Sequence, residues 1–239
     1  MSNNETEQSK TSIPHHIAII PDGNRRWAKE HGMPEYMGHK KGAEIFEELC
    51  NYSRSVGVEC MTLWAFSTEN WKRSKDEVEH LFELVRANVG KYRKKCIEEK
   101  IRFKQLGRRD RFPEDITKAI IETEDLTKTY TDFTIAIAAD YGGHDELIRT
   151  ITKLTTENLA ITPENIEKNL DTGNLPRLDL IIRPGGEFRL SGFMPWQSEY
   201  AEYYFTKKYF PDFNTDELKI AIEEFSRRDR RFGGNTAKS

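Results

Sequence analysis

The chain has 239 residues, 32% of them charged, and a formal net charge of −3. This length suits one α/β domain, and the near-neutral charge excludes a general attraction to nucleic acid, so any anion site has to be a local basic cluster. We see no apolar run of 18 residues and expect no signal peptide or membrane-spanning helix. Any contact with a membrane is therefore expected to be peripheral. Three cysteines without metal-ligand spacing favour the reducing cytoplasm.

The first predicted elements are a strand, a turn and a helix. Residues 1–13 are polar and are expected to be a disordered tail, while 14–239 form the domain. The apolar run Ile17 to Ile20 predicts a short strand buried on both faces, Pro21 to Asn24 a turn, and Arg25 to His31 a helix. Such a turn directs backbone N–H groups and the helix dipole at one spot, which favours anions.

The charges at this turn suit a phosphate site. Arg25 and Arg26 provide forked guanidinium groups, which match phosphate oxygens. A lone carboxylate such as Asp22 suits Mg²⁺ in a phosphate site. From this stretch alone an alternative stays open, in which the turn is only a turn and both arginines lie on a solvated helix face.

Helices and strands then alternate along the chain. A helix is predicted from Gly38 to Gly57, followed by a strand over 61–65, a polar and aromatic loop over 66–73, an amphipathic helix over 75–100, a strand over 101–106, a helix over 113–128, a strand over 133–139, a helix to about 156, a short helix to 171, a strand over 178–182 and a last helix around Leu218 and Phe225. This alternation predicts a single α/β domain with a mainly parallel central sheet flanked by helices.

Polar side chains follow four of the predicted strands. In parallel sheets ligands bind at the carboxyl ends of the strands. The residues expected there are Asp22, Ser67, Asn70, Asp140 and Arg183, together with the arginines Arg25, Arg26, Arg73 and Arg189. Because the arginines fall into two separated sets, we expect two phosphate-bearing substrates. The standard phosphate-loop, dinucleotide, zinc-protease and nucleophile-elbow motifs do not occur in the sequence.

Six spaced motifs point to one family. They are Asp22-Gly23-Asn24-x-Arg26-Trp27-Ala28, Gly38-His39, Phe66-Ser67-x-Glu69-Asn70-Trp71-x-Arg73, Tyr141-Gly142-Gly143, Arg183-x-Gly185-Gly186-Glu187-x-Arg189-x-Ser191 and Arg230-Arg231-Phe232-Gly233-Gly234. From about residue 16 to 234 the chain resembles the cis-prenyltransferases, the undecaprenyl diphosphate synthase family. The resemblance implies Mg²⁺-dependent condensation of isopentenyl diphosphate with an allylic diphosphate, such as farnesyl or geranylgeranyl diphosphate, by a homodimer.

The resemblance also implies roles for individual residues. Asp22 and Asn70 are the expected catalytic residues, and Asp22 and Glu202 the expected carboxylates of the metal site. The expected substrate-binding residues are Gly23, Asn24, Arg25, Arg26, Trp27, His39, Phe66, Ser67, Trp71, Arg73, Glu77, Arg183, Arg189 and Ser191. On spacing alone, Trp71 could instead only pack a loop, and Glu202 could only pair with a nearby arginine.

A growing prenyl chain implies an apolar tunnel between the sheet and the helices that cover it. We expect the long helix to supply one wall through Val78, Phe82, Val85 and Val89, and Phe133 to lie near the closed end.

The sequence departs from the family pattern at four positions. Glu35 stands where many members have an arginine, and Pro184, Asp140 and His144 replace a usual threonine or serine, asparagine and arginine. Two alternatives therefore stay open. One is a non-catalytic subunit of a heteromeric prenyltransferase, and the other is an enzyme of the same fold that couples isoprenoid units irregularly.

Overall fold

The computed structural model describes residues 12–228, and within them six strands form one parallel sheet. Residues 1–11 of the predicted tail lie outside the described residues, and so does the Arg230 to Gly234 motif. The strands are β1 (His16–Ile19), β2 (Cys60–Ser67), β3 (Arg102–Leu106), β4 (Thr134–Tyr141), β5 (Leu180–Arg183) and β6 (Glu202–Phe205), in the spatial order β3-β4-β2-β1-β5-β6. All five pairings are parallel, which confirms the predicted fold class.

Seven α-helices cover the part of the sheet that residues 12–228 form. They are α1 (Asn24–Glu30), α2 (Glu35–Ser55), α3 (Lys75–Glu98), α4 (Glu114–Thr127), α5 (Gly143–Thr156), α6 (Pro163–Asn169) and α7 (Thr215–Ser226). Short 3₁₀ helices occur at Thr68–Lys72 and Phe210–Asp212. Side chains of Ser74, Thr162 and Asn214 accept hydrogen bonds from the first turns of α3, α6 and α7, so these helices begin where the sequence supplies caps.

The strand β1 lies in the middle of the sheet, between β2 and β5. All four of its residues are buried, and Ile17 pairs in register with Met61 on one side and Leu180 on the other. A strand with neighbours on both edges and helices on both faces needs a continuous apolar run. The turn at Asp22 therefore emerges at the centre of the sheet's carboxyl edge.

Two boundaries and one missed strand are the main differences from the sequence-based prediction, and other element ends differ by one to three residues. The strand β2 continues to Ser67, so the predicted loop begins as strand and then forms a 3₁₀ helix. The helix α2 begins at Glu35, because Pro34 supplies its N-terminal boundary and Gly38 lies inside it. The strand β6 was missed, since its half-buried residues at the sheet edge give no apolar run.

Among residues 12–228, no helix is both long and apolar enough to cross a membrane.

Candidate active site

The carboxylate of Asp22 is the centre of the carboxyl edge of the sheet. Its Oδ1 accepts hydrogen bonds from the Gly23 N–H at 2.7 Å and from Arg26 Nη2 at 3.0 Å. Its Oδ2 accepts from Arg183 Nη2 at 2.9 Å. The turn after β1 and the end of β5 are thus joined by one carboxylate and two guanidinium groups, as parallel neighbours in a sheet allow.

Close backbone approaches fix this geometry. Gly23 has φ +92°, and a Cβ on it would stand 2.4 Å from the Tyr209 ring. Gly185 has φ +97°, and a Cβ there would stand 3.0 Å from Arg26 Nη2 and 3.1 Å from the Asp22 Cβ. Only glycine combines this φ with the missing side chain. These glycines let the arginines lie directly against Asp22.

Arg183 is only 5% exposed and also holds the loop that follows β5. Its Nη1 donates to Ser191 Oγ at 3.0 Å and to the carbonyl of Arg189, and its Nε has no hydrogen-bond partner among the described residues. Arg189 itself is largely exposed and paired with Glu187. Arg183 and Ser191 therefore lie together, whereas Arg189 is exposed to solvent.

His39 and Asn24 both line the cavity described below, and each has an unpartnered buried polar atom. Nε2 of His39 and Oδ1 of Asn24 are buried and have no hydrogen-bond partner in the described structure. Burial, and next to it the charge of Arg73, lowers the pKa of His39 to about 4, so this imidazole is neutral near pH 7. Buried polar atoms are normally satisfied, and two orphans on one cavity wall indicate that a ligand completes them.

A short chain of ion pairs borders His39. Arg73 Nη1 lies 2.9 Å from Glu77 Oε1, Arg25 Nη1 lies 3.7 Å from the same oxygen, and Arg25 Nε lies 2.7 Å from Glu35. Glu35, the departure from the family pattern, thus neutralises Arg25. These two predicted arginines are held near the mouth but engaged by carboxylates.

The segment after β2 is held from two sides. Ser67 N–H donates to Asn70 Oδ1 at 3.0 Å within the 3₁₀ turn. Trp71 Nε1 donates to Asp140 Oδ1 at 2.8 Å, and Asp140 is also paired with Arg111. Asp140 was expected to face the edge of the sheet, but it is fully buried behind Trp71 because these two partners enclose it.

An apolar cavity of about 570 Å³ opens from this cluster. This volume lies in the usual range of ligand sites. Its mouth is lined by Asp22, Asn24, His39, Phe66, Ser67, Asn70, Arg73, Arg183 and Ser191, and its body by apolar residues of α2, α3, α4 and the sheet. On α3 the wall includes Phe82, Val85 and Val89 as predicted, whereas Val78 packs beside the cavity with Phe66.

Three predicted site residues lie elsewhere. Glu202 begins β6 opposite Leu180, at the amino end of the strands, and pairs with Arg228 at 2.8 Å. Glu202 therefore does not lie beside Asp22 of the same chain, and its expected role in a metal site stays a prediction. Trp27 Nε1 donates to Asp212 at 2.8 Å, and Trp71 packs behind the mouth.

The sequence analysis missed Tyr209. The Arg26 guanidinium lies 5.1 Å from the centre of the Tyr209 ring, and the Tyr209 hydroxyl donates to Glu30 at 2.7 Å. The ring thus contacts the same guanidinium that donates to Asp22. A tyrosine in an aromatic-rich segment far along the chain from Arg26 carries no local signal of this contact.

Comparisons with known proteins agree on the class of this chain. The family model described as "Putative undecaprenyl diphosphate synthase" matches residues 20–233. An isoprenyl transferase of Neisseria gonorrhoeae is 43% identical over 97% of this chain and 94% of its own length. The isoprenyl transferase of Thermotoga maritima is 41% identical over 93% and 97%.

Solved structures share the architecture. Lavandulyl diphosphate synthase from Lavandula x intermedia, in complex with dimethylallyl diphosphate, is 32% identical over 92% of this chain and 98% of that one, with a TM-score of 0.87. A probable undecaprenyl diphosphate synthase from Campylobacter jejuni is also 32% identical, over 93% and 99%, with a TM-score of 0.79. The carboxyl-edge cluster and the cavity thus occur in a fold used by enzymes that handle prenyl diphosphates.

Proposed function

Since this chain belongs to the undecaprenyl diphosphate synthase family and is a prenyl transferase, we propose that it condenses isopentenyl diphosphate with an allylic diphosphate such as farnesyl or geranylgeranyl diphosphate. The product is a polyprenyl diphosphate of undecaprenyl type or shorter. The observation that carries this proposal is the arginine and carboxylate cluster at the mouth of a 570 Å³ apolar cavity. Diphosphate needs the first feature and a growing hydrocarbon chain needs the second.

Two groups of residues would receive the two diphosphates. Asn24, Arg26 and His39 stand on the α1 and α2 side and bind the primer diphosphate, with the orphaned Asn24 and His39 atoms completed by it. Arg183, Ser191 and Arg189 hold isopentenyl diphosphate on the β5 side. In each step the allylic C–O bond breaks with its electrons going to diphosphate, a C–C bond forms to the isopentenyl unit, and that unit loses a proton to the released diphosphate.

The residues fit a magnesium ion. Residues 12–228 contain no cluster of three or more histidine, cysteine or carboxylate side chains that could enclose a metal. Mg²⁺ in phosphate sites, however, is held by one or two carboxylates together with substrate phosphates and water. Asp22 provides that carboxylate once a diphosphate takes over Arg26 or Arg183. The ion would supply charge neutralisation of the leaving group.

Charge neutralisation by side chains is the main catalytic contribution of this chain. The positive groups around Asp22 are fixed before substrate arrives, and preorganised charge of this kind usually lowers the activation barrier more than any other single effect. Ser67 and Asn70 are joined across the 3₁₀ turn. They bind substrate at the same cavity mouth and position the reacting ends of the two substrates. Phe66 of β2 is a further lining residue of the cavity.

We also propose a cytoplasmic homodimer that touches the membrane only peripherally, where its lipid product is released. Exposed Ile148 and Ile151 of α5, together with Leu159 and Ile161, support an apolar contact between copies. Sedimentation equilibrium should give about twice the monomer mass, and Ile148→Glu should shift it toward the monomer.

Product analysis tests the reaction. The protein is incubated with Mg²⁺, farnesyl diphosphate and labelled isopentenyl diphosphate, and the products are separated by chain length after dephosphorylation. A ladder of linear products with cis double bonds is expected. No turnover would favour a non-catalytic subunit, although Asp22, Ser67 and Asn70 are all in place, and short branched products would favour irregular coupling.

A further inference from the structure

A polar bridge closes the seam between α2 and α3 beside the far part of the cavity. Lys95 Nζ of α3 donates to Glu47 Oε1 at 2.7 Å and to Asn51 Oδ1 at 3.1 Å, both on α2. Lys91 Nζ adds a contact of 3.1 Å to Glu47 Oε2. Glu47, Asn51 and Lys95 all line the cavity, and Lys95 and Glu47 are only 18% and 24% exposed.

The bridge lies far from the diphosphate site. The helix α3 runs from Glu77 at the mouth to Lys95 near its end, a length of about 27 Å at about 1.5 Å per residue. Between these points the α3 wall is mostly apolar and includes Phe82, Val85 and Val89, with Asn88 as a polar neighbour. The charged residues that α3 contributes to the lining, Arg93 and Lys95, both lie near its C-terminal end.

The other side of α3 is closed in the same way. Arg93 donates to Thr123 Oγ1 at 3.1 Å and lies 2.9 Å from Glu122, both on α4. Cys96 and Ile101 also line the cavity. An apolar chain that reaches this point therefore meets ion-paired groups on both sides of α3.

We propose that the bridge of Lys95 with Glu47 and Asn51 is a stopper that limits the length of the hydrocarbon chain the cavity accepts. The proposal rests on the proposed function. Because the diphosphate would hold one end of the chain at the mouth, the distance from the mouth to the bridge would limit the length of the chain. A longer chain has to enter the α2–α3 seam and separate the bridge. That leaves a partly buried ammonium and carboxylate against hydrocarbon without partners, which is strongly unfavourable.

The charge state of the pair supports its strength. Hydrogen bonding from Lys95 lowers the pKa of Glu47, so the carboxylate is ionised across the pH range in which such a protein would be assayed. Burial of the Lys95 stem between the helices leaves the ammonium little freedom to leave Glu47 for solvent. Replacing both partners with apolar residues of similar size removes the barrier without leaving an unpaired charge.

The test measures chain length in two ways. The double variant Glu47→Leu with Lys95→Leu is compared with the wild type, with Glu47→Gln, which keeps an acceptor for Lys95, and with Lys94→Leu, which changes a largely exposed lysine outside the cavity. Dissociation constants are measured by calorimetry for prenyl diphosphates of increasing length. Product lengths are measured by chromatography of the reaction mixture.

For the wild type we expect the affinity for prenyl diphosphates to rise with chain length up to one length and not beyond it. The double variant should bind longer prenyl diphosphates at least tenfold more tightly than the wild type, bind farnesyl diphosphate within about twofold, and release longer products. Glu47→Gln and Lys94→Leu should keep the wild-type limit. Melting temperatures of all variants show that the fold is retained, and Lys95→Met replaces the double variant if that one does not fold.

The two proposals fail differently. An equal length limit in the wild type and the apolar variant, with turnover in both, overturns the stopper and leaves the proposed function in place. Binding whose limit moves in the variant, without any turnover, supports the stopper and overturns the proposed reaction. A wild-type protein that binds no prenyl diphosphate of any length overturns both.

Discussion

Arg183 Nη2 and Asp22 Oδ2 lie 2.9 Å apart although 161 positions separate the two residues in the chain. The contact joins the carboxyl ends of β1 and β5, which are neighbours in the sheet. Arg183 is almost fully buried, so Asp22 compensates a charge that would otherwise be isolated from water. The same carboxylate is the proposed magnesium ligand. Asp22 therefore has both a structural and a proposed catalytic task.

Substitution of Asp22 tests both tasks. Asp22→Ala should lower turnover by about a hundredfold or more, because preorganised charge at the leaving group is lost. It should also lower the free energy of unfolding by about 1.5–3 kcal/mol, since Arg183 and Arg26 lose a charged hydrogen-bond partner. Asp22→Asn keeps the shape of the side chain and should lose turnover with a smaller loss of stability. Steady-state rates and urea unfolding measure the two effects, and near-wild-type turnover of Asp22→Ala would exclude the metal role.

The ion pair of Arg25 with Glu35 gives a second prediction. Glu35 holds Arg25 Nε at 2.7 Å on the side of His39 where the primer diphosphate is proposed to bind. Glu35→Arg frees Arg25 and adds a positive charge, so it should lower the apparent KM for the allylic substrate and leave that for isopentenyl diphosphate unchanged. Glu44→Arg on the same helix, whose glutamate pairs with Lys41, is the matched control. A raised allylic KM in Glu35→Arg alone would place this position outside the primer site.

Much of the fold and the mouth could be predicted because the signals are local. The run Ile17 to Ile20 specifies a central strand, and the rule that ligands bind at the carboxyl ends of parallel strands brings Asp22 and Arg183 to one place. Strand alternation needs no knowledge of distant contacts. The predicted substrate residues around Asp22 are accordingly close together.

Contacts between distant residues could not be predicted from the sequence. Glu202, the other expected metal carboxylate, lies at the opposite end of the strands from Asp22 of the same chain because of the register of β6 against β5, and spacing in sequence does not specify register. The partners of Asp140, namely Trp71 and Arg111, come from two other loops. Asp140 therefore looks like a free carboxylate in the sequence and is a buried anchor in the structure.

The buried histidines predict a pH dependence of stability. Burial lowers the pKa of His16 and of His39 to about 4, below the ordinary value of 6.5. Between these values the unfolded chain binds more protons than the folded chain, so stability is present above pH 6.5 and is lost as the pH falls toward 4. At about 1.4 kcal/mol per pKa unit, each histidine contributes up to about 3.5 kcal/mol.

Urea unfolding of the wild type, His16→Gln and His39→Gln between pH 7 and 4 measures this loss. Each variant lacks one titrating group, so the difference from the wild type isolates that histidine from the carboxylates. The unfolding free energy of each variant should fall less steeply than that of the wild type. Parallel curves for His39→Gln and the wild type would show that His39 accepts protons freely in the folded protein.

Asp140 gives a prediction about positioning rather than chemistry. It holds the Trp71 indole, and with it the 3₁₀ turn of Ser67 and Asn70, while Arg111 pairs with its carboxylate. Asp140→Ala should lower kcat by about tenfold or more without a comparable rise in KM, because the turn loses its anchor. Its φ of +51° also penalises alanine, which makes Asp140→Asn the milder change.

The matched control is Asp110→Asn in the neighbouring loop, where an exposed carboxylate pairs with Arg108. Exposed pairs contribute little, so this variant should match the wild type. Asp140→Asn keeps the acceptor for Trp71 and should recover most of the kcat lost in Asp140→Ala. Equal losses in the two Asp140 variants would show that the ion pair with Arg111, and not the bond to Trp71, matters for turnover.

Phe133 tests where the cavity ends. It does not itself line the cavity, but it directly precedes β4 and, by strand alternation, shares the face of Ile135, which does. Its ring is fully buried one step beyond the lining residue, on the side away from the mouth. Phe133→Ala should therefore extend the cavity and lengthen the products, and it should also lower the free energy of unfolding by about 3–5 kcal/mol.

The matched control is Phe213→Ala, because Phe213 is fully buried in the same core but lies outside the cavity lining. This control should lower the free energy of unfolding by a similar amount and leave product length unchanged. Chromatography of the products and urea unfolding of both variants separate the effects, and unchanged product length in Phe133→Ala would make this ring ordinary core.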